Sequence, residues 1–208
     1  QPAAPRILTA SLDRAVSNPV WSADGSRISF LLQDDRAQHV ANVPAEGGAV
    51  RRVTDGRRVV SAAHAGTQAD GNFALVATTA TTLPEISVLD AGALRTITKH
   101  NADLQAELQL ATTEDFTSKS KDGTEVHGLI VKPAGYQAGR KYPAILYIHG
   151  GPNGQDQLAF SFDREFLAAN GYVVLAINYR GSAGRGQAFQ KAIHRDWGNL
   201  EVVDLLGA

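Results

Sequence analysis

Two continuous apolar runs in the second half of the chain constrain its fold more than any other feature. They are Ala144–Ile148 and Tyr172–Ile177. Runs of this length are typical of strands buried on both faces of a sheet, and they are far too short to span a bilayer. Between them, apolar residues at helical spacing predict a helix from about Gln157 to Ala169, with Asp156 as its N-cap and Asn170-Gly171 at its end.

Further helical patterns follow the second apolar run. Apolar residues in Phe189–Trp197 and after Asn199 predict two more helical segments. Buried strands that alternate with helices imply a parallel sheet with right-handed crossovers. Ahead of the first run, Asp122-Gly123 lies between two strand-like segments, which predicts a hairpin.

The loops that follow the two apolar runs form the candidate site. In sheets of parallel strands, functional residues lie in the loops at the carboxyl ends of the strands. We therefore expect the loops His149–Asn153 and Asn178–Gly184 to lie together. A His-Gly-Gly sequence after an early strand is the usual form of the loop that supplies an oxyanion donor in α/β hydrolases, because glycine lets a backbone N–H approach the substrate carbonyl. We therefore expect residues 111–208 to be the N-terminal part of an α/β-hydrolase domain.

The first half of the chain repeats itself. Gly48–Thr54 matches Gly92–Thr98 at an offset of 44 residues, and Asp24–Phe30 matches Asp70–Val76 more loosely at an offset of 46. A period of this size with several short strands predicts β-propeller blades, about two of them, in residues 1–110. Two repeats cannot close a ring, so either further blades precede the chain or this segment is a small open sheet. We expect Trp21 to pack in the core of a blade.

Together, the motifs of residues 111–208 resemble the prolyl oligopeptidase family, in its acylaminoacyl-peptidase and dipeptidyl-aminopeptidase branch. The order of a β-propeller followed by a hydrolase domain is also that of the family, although the propeller half matches more loosely. Single motifs are weak signals, and their order and spacing carry the resemblance. They are Lys141-Tyr142-Pro143, His149-Gly150-Gly151-Pro152, Asn170-Gly171-Tyr172, the run Asn178–Gly186, and Asp196-Trp197-Gly198.

This resemblance implies a serine peptidase with a Ser–Asp–His triad, all of it expected beyond Ala208. The complete protein would cleave short peptides or N-terminal acylaminoacyl or dipeptidyl groups through an acyl-enzyme, and this chain alone would be inactive. Gly151 matches the position whose backbone N–H helps to form the oxyanion hole. His149 aligns with a position that carries an oxyanion-hole tyrosine in the dipeptidyl-peptidase branch. Arg180 resembles an arginine that braces the site and is a candidate substrate-binding residue, and Asp204 resembles a structural acid.

Each of these residues also has a plainer interpretation. His149 can be a loop residue hydrogen-bonded to the backbone, Gly151 a turn glycine before a proline, and Arg180 a structural ion-pair partner. Ser182 is not expected to be the nucleophile, because a nucleophile elbow needs glycine two residues earlier, where this chain has Arg180.

Composition limits the remaining classes of function. The chain has no cysteine and a formal net charge of −1, which excludes disulfides and thiolate metal sites and leaves no global field to attract nucleic acid or a membrane surface. Its histidines have no metal-ligand spacing, and Gly181, Gly184 and Gly186 do not form the dinucleotide-binding fingerprint, so neither a metal nor a cofactor is expected. The sequence contains no signal-peptide pattern, and the compartment stays open between cytoplasm and periplasm. Because the chain has no methionine and stops inside an apolar helical pattern, a partial chain is expected.

Three functions agree with these patterns. A peptidase acting on peptide substrates is the first, with a homo-oligomer left open for the complete protein. The second is an esterase on the same α/β-hydrolase fold, since a fold does not determine the acyl substrate. The third is a non-catalytic propeller binding module that carries a degenerate hydrolase domain.

Overall fold

A computed structural model describes residues 4–66, 72–90 and 92–208. The described residues of the first half form one open sheet of eight strands in the order β1-β2-β3-β5-β6-β7-β8, with β4 paired to β3. The strands are β1 (Val16–Trp21), β2 (Arg27–Asp34), β3 (Ala37–Pro44), β4 (Arg51–Arg52), β5 (Val59–Ala65), β6 (Phe73–Thr79), β7 (Thr82–Asp90) and β8 (Ala93–Thr96).

This sheet consists of two antiparallel units of four strands. The units β1–β4 and β5–β8 are joined by a single parallel pairing of Gln38 with Val59. An apolar core lies where the units meet, and β2, β3, β5, β6 and β7 all contribute to it. Its buried members are Leu31, Val40, Val60, Phe73, Leu75 and Leu89.

The two units repeat each other in their hydrogen bonds as well as in sequence. Thr54, which ends the first repeat, donates its N–H to Val40 O at 3.3 Å and accepts the Val40 N–H on Oγ1 at 3.0 Å. Thr98, which ends the second, makes the same pair of bonds with Ile86, at 3.3 and 2.9 Å. The sequence repeat is therefore a structural repeat, in which a threonine makes the same two backbone hydrogen bonds at the end of each unit. The Asp70-Gly71 turn of the looser match lies outside the described residues.

The expectation that Trp21 packs in a blade core is wrong for this structure. Trp21 is 59% exposed, and every residue of β1 is exposed. The reason is the position of β1 at the end of the strand order, where it pairs only with β2. None of the described residues covers its face.

A short helix, α1 (Ala102–Glu107), leads into a second sheet of four strands in the order β11-β12-β10-β9. The strands are β9 (Thr112–Lys119), β10 (Glu125–Lys132), β11 (Ala144–Tyr147) and β12 (Val173–Asn178). The hairpin predicted at Asp122-Gly123 is confirmed, because β9 and β10 pair in antiparallel register around it and Gly123 has a φ of +85°. Strands β11 and β12 are parallel, as predicted, whereas β10 pairs with β12 in antiparallel fashion, so the sheet is mixed.

Only one of the two apolar runs is buried on both faces. β12 is central, and Val174, Ala176 and Ile177 have almost no exposed surface. β11 lies at the edge of the described sheet, where Leu146 is 40% exposed, so the prediction that Ala144–Ile148 is an interior strand is wrong here. Because β11 has a neighbouring strand on one side only, its apolar residues are less covered than those of β12.

Three helices complete the second half: α2 (Phe162–Ala169), α3 (Gln187–Lys191) and α4 (Leu200–Gly207). The end predicted for α2 is confirmed by Gly171, which has a φ of +87°. Its predicted start is wrong, because Ser161 is the N-cap and accepts the Arg164 N–H, whereas Asp156 is buried in the preceding loop. None of the helices in the described ranges is long and apolar enough to cross a membrane.

Candidate active site

The parallel strands β11 and β12 end at the same edge of the sheet, and their two loops meet there. His149 Nε2 lies 2.8 Å from Ser182 Oγ, which joins the first loop to the second. The Ala183 N–H donates to Gly154 O at 2.9 Å and forms a second link. The structure thus brings together the two segments that strand polarity had placed at one site.

Gly151 occupies a position that only glycine can fill. Its φ is +129°, and a β-carbon there would lie 2.9 Å from Gly154 N and 3.0 Å from Asn153 N. The peptide bond to Pro152 is cis. Within the described residues the Gly151 N–H donates to no protein acceptor, and the residue is exposed. A tight turn with an available N–H is compatible with the predicted oxyanion donor, which stays a prediction.

His149 is half-buried and contacts Tyr179, Gly150 and Ser182. Its ring stacks on Tyr179 at a centroid distance of 4.7 Å, and the Tyr179 hydroxyl donates to His149 O at 2.6 Å. Nδ1 lies 3.1 Å from Gly150 O. Because a carbonyl can only accept, a neutral ring carries its proton on Nδ1 and accepts the Ser182 hydroxyl on Nε2. This arrangement favours a hydrogen-bonded loop residue over a side chain that acts on the substrate.

Ser182 and His149 resemble the first two members of a catalytic triad, yet the pair lacks what such a triad needs. Ser182 has no exposed surface, so a substrate carbonyl cannot reach its hydroxyl. The other ring nitrogen of His149 faces the carbonyl of Gly150, where a triad has a carboxylate. The expectation that Ser182 is not a nucleophile agrees with this geometry. Its role as the hydroxyl partner of His149 was missed, because residues 33 positions apart carry no local signal.

The guanidinium of Arg180, in the loop after β12, lies between two carboxylates. Its Nη2 is 2.7 Å from Asp204 Oδ1, its Nη1 is 2.6 Å from Asp122 Oδ2, and its backbone N–H donates to Asp204 Oδ2 at 2.7 Å. These partners raise the pKa of Arg180 above its ordinary value, chiefly through the side-chain hydrogen bond to Asp204. Only 7% of Arg180 is exposed. Its placement favours the structural ion-pair interpretation over substrate binding, and it confirms Asp204 as a structural acid.

A second buried ion pair fixes the far end of the first loop. Asp156 Oδ1 is 2.7 Å from Arg164 Nη1 of α2. The backbone of Asp156 exchanges two hydrogen bonds with the Asn178 side chain, at 2.7 and 3.0 Å. Burial raises the pKa of Asp156, and the neighbouring Arg164 opposes that rise. The loop after β11 is therefore tied both to α2 and to the end of β12, a set of contacts that the helix prediction beginning at Gln157 had not anticipated.

Within the part of the chain that the structure describes, no group of three or more His, Asp and Glu side chains is placed to hold a metal ion. The candidate site at this edge contains the Gly151 N–H and the hydrogen-bonded pair of His149 and Ser182.

The sequence of the chain is similar to those of known peptidases. The model of the prolyl oligopeptidase family matches residues 158–208. Dipeptidyl-peptidase 5 of Aspergillus oryzae is 28% identical over 208 residues, which cover 96% of this chain and 28% of that protein. The uncharacterized peptidase YuxL of Bacillus subtilis is 36% identical over 112 residues, covering 54% of this chain and 16% of that protein.

Solved structures extend the match to both halves. An acylaminoacyl peptidase in complex with Z-Gly-Gly-Phe-chloromethyl ketone superimposes with a TM-score of 0.84 at 26% identity, covering 96% of this chain and 31% of that one. Residues 158–208 of the chain resemble the prolyl oligopeptidase family. Members of this family are serine peptidases, and the uncomplexed Pyrococcus horikoshii acylaminoacyl peptidase matches this chain with a TM-score of 0.83 at 25% identity. The chain spans less than a third of the length of these relatives.

Proposed function

We propose that the complete protein is a serine peptidase that releases acylaminoacyl or dipeptidyl units from the N-termini of short peptides. The likeness to the prolyl oligopeptidase family supports peptidase chemistry, and its relatives dipeptidyl-peptidase 5 and acylaminoacyl peptidase support these two kinds of substrate. The observation that carries the proposal is the exposed Gly151 N–H in the turn that follows β11, with no acceptor among the described residues.

The proposed chemistry is acyl transfer. A serine hydroxyl supplied from outside this chain adds to the substrate carbonyl while its proton passes to a histidine. The Gly151 N–H donates to the oxygen on which negative charge develops. The amine then leaves with that proton, and water hydrolyses the acyl-enzyme. Ser182 takes no part in these steps, because it is buried and already donates to His149.

We further propose that residues 1–110 are two blades of a β-propeller and that residues 111–208 begin the α/β-hydrolase domain. The two repeated four-stranded units and the likeness to acylaminoacyl peptidase over 96% of the chain support this division. A propeller beside the site would restrict entry to small, flexible peptides.

Covalent labelling of the full-length protein by a fluorophosphonate tests the proposal. We expect one labelled serine, and hydrolysis of acylaminoacyl or dipeptidyl nitroanilides in preference to short-chain nitrophenyl esters. The 208-residue chain alone serves as the matched control and should stay unlabelled. A full-length protein that is folded but not labelled would overturn the proposal. A strong preference for the esters would show that the protein is an esterase and not a peptidase.

A further inference from the structure

One turn of the first sheet reaches across to the loop that carries Gly151. It is the β2–β3 turn, Asp34–Arg36, and it contacts the Gln155 side chain with backbone groups only. The Arg36 N–H donates to Gln155 Oε1 at 2.9 Å, and Gln155 Nε2 donates to Asp34 O at 3.0 Å. The side-chain amide of Gln155 therefore both accepts a hydrogen bond from the turn backbone and donates one to it, as a residue of a neighbouring strand would.

The second site loop closes on the same point. A β-carbon on Gly184, which has a φ of +89°, would lie 2.6 Å from Gln155 Oε1 and 2.7 Å from Asp34 O. Gly184 therefore lets the loop after β12 pack directly on the Gln155 amide and the turn. Three segments that are distant in sequence meet at this side chain.

The β2–β3 turn is itself held rigidly against the second half. Arg36 adopts a φ of +57°, accepts the Leu158 N–H at 2.8 Å, and pairs with Asp115 of β9 at 3.1 Å. Asp35 lies 2.6 Å from the His127 Nδ1 of β10. A left-handed conformation at a residue other than glycine persists where surrounding contacts impose it. The turn thus provides a fixed reference point beside the site.

Gln155, which contacts the β2–β3 turn, lies in the same loop as Gly151. Gln155 directly follows Gly154, whose carbonyl accepts the Ala183 N–H, and directly precedes Asp156, which is bonded to Asn178. Gly151 lies only three residues before Gly154 and packs against its backbone nitrogen. Gln155 is thus four residues from Gly151 within one loop, and bonded residues lie on both sides of it.

We propose that Gln155 is a positioning residue, through which the β2–β3 turn of the first half sets the direction of the Gly151 N–H at the candidate active site. This inference rests on the proposed function. It makes catalysis depend on a contact between the two halves of the chain, because the frame of the oxyanion loop is completed by a turn of the first sheet.

The test is Gln155→Met in the full-length protein, because methionine keeps the length of the side chain and removes both hydrogen bonds. We expect kcat to fall roughly ten- to a hundredfold with KM nearly unchanged, since a small misplacement of a group that acts in the transition state has effects of this size. Hydrogen exchange of the His149–Asn153 amides should become faster, while the melting temperature stays close to that of the wild type. Gln137→Met, in the exposed loop between β10 and β11, is the matched control and should change neither quantity.

Unchanged kcat and unchanged exchange in Gln155→Met would overturn the inference. It would equally be overturned if kcat fell only in proportion to a general loss of stability, because Gln155 would then be merely structural. A wild-type protein that hydrolyses nothing would refute the proposed function instead. In that case the exchange comparison decides the inference alone: faster exchange supports positioning, and equal exchange refutes it.

Discussion

At the scale of single residues, the two adjacent glycines of the His-Gly-Gly-Pro loop have different roles. Gly151 has a left-handed φ and no room for a β-carbon, whereas Gly150 has no atom within 4 Å of such a carbon. Alanine is therefore tolerated at one position and strained at the other. The difference separates a glycine needed for the geometry of the turn from one that merely lies beside it.

This contrast gives a matched pair of variants in the full-length protein. Gly151→Ala should reduce kcat by about a hundredfold or more, the usual loss when one oxyanion donor is displaced. Gly150→Ala should stay within a few-fold of the wild type. Steady-state kinetics on a dipeptidyl nitroanilide measures both, with circular dichroism to verify folding. Equal activity of the two variants would contradict the role of the Gly151 N–H.

The carboxylate of Asp122 should make the stability of the fold depend on pH. Its pKa is lowered to about 2, first because the Thr124 N–H donates to the carboxylate and then because Arg180 does so. The folded-state pKa lies below the unfolded value, so this carboxylate stabilises the fold above about pH 4 and loses that effect as the pH falls towards 2. Asp122→Asn should therefore flatten the dependence of unfolding free energy on pH in that interval.

Urea unfolding followed by circular dichroism at pH values between 2 and 5 measures this slope. Asp103→Asn, on the exposed face of α1, is the control and should keep the wild-type slope. Identical slopes for the wild type and Asp122→Asn would show that the ion pair with Arg180 contributes nothing to acid stability.

At the scale of elements, α4 packs on the sheet through apolar residues and also carries one buried carboxylate. Asp204 has no exposed surface and receives hydrogen bonds from the Arg180 side chain, the Arg180 backbone N–H and the Ser120 hydroxyl. Ser120 directly follows β9, and Arg180 lies two residues after β12. One side chain of α4 therefore holds the loop after β12 and the β9–β10 hairpin together.

Asp204→Ala should consequently destabilise the fold by about 3–5 kcal/mol, because it leaves the Arg180 guanidinium buried with only part of its compensation. Asp103→Ala on α1 is the exposed control and should cost less than about 1 kcal/mol. Chemical denaturation gives both values. A loss at Asp204 no larger than that of the control would mean that α4 is held by its apolar residues alone.

The elements themselves were largely predictable from the sequence, and their environment was not. Asn170-Gly171 marked the end of α2 correctly, because the signal for a helix stop is local. The predicted start of α2 was several residues too early. Asp156 does not cap the helix, because it pairs with Arg164 and bonds to Asn178, and only the fold brings these residues near it. The same limit explains Trp21 and β11: an apolar pattern predicts a strand but not whether another element covers it.

At the scale of the whole molecule, the two halves meet beside the candidate site, where Gln155 bonds to Asp34 and Arg36. Strand polarity was enough to predict that the loops at His149 and Asn178 would meet. The part played by the first half was not predictable, because Gln155 lies 119 residues from Arg36 and contacts its backbone, which leaves no sequence motif. The region around Gly151 is thus built from the sheet edge of one half and a turn of the other.

A crystal structure of the full-length protein with a phosphonate bound covalently to its reactive serine would show which groups stabilise the developing negative charge. We expect a phosphonyl oxygen about 2.7–3.1 Å from Gly151 N, with His149 still bonded to Ser182 and Gln155 still bonded to the β2–β3 turn. A phosphonyl oxygen held entirely by other donors, with the Gly151 N–H directed away from it, would contradict the account.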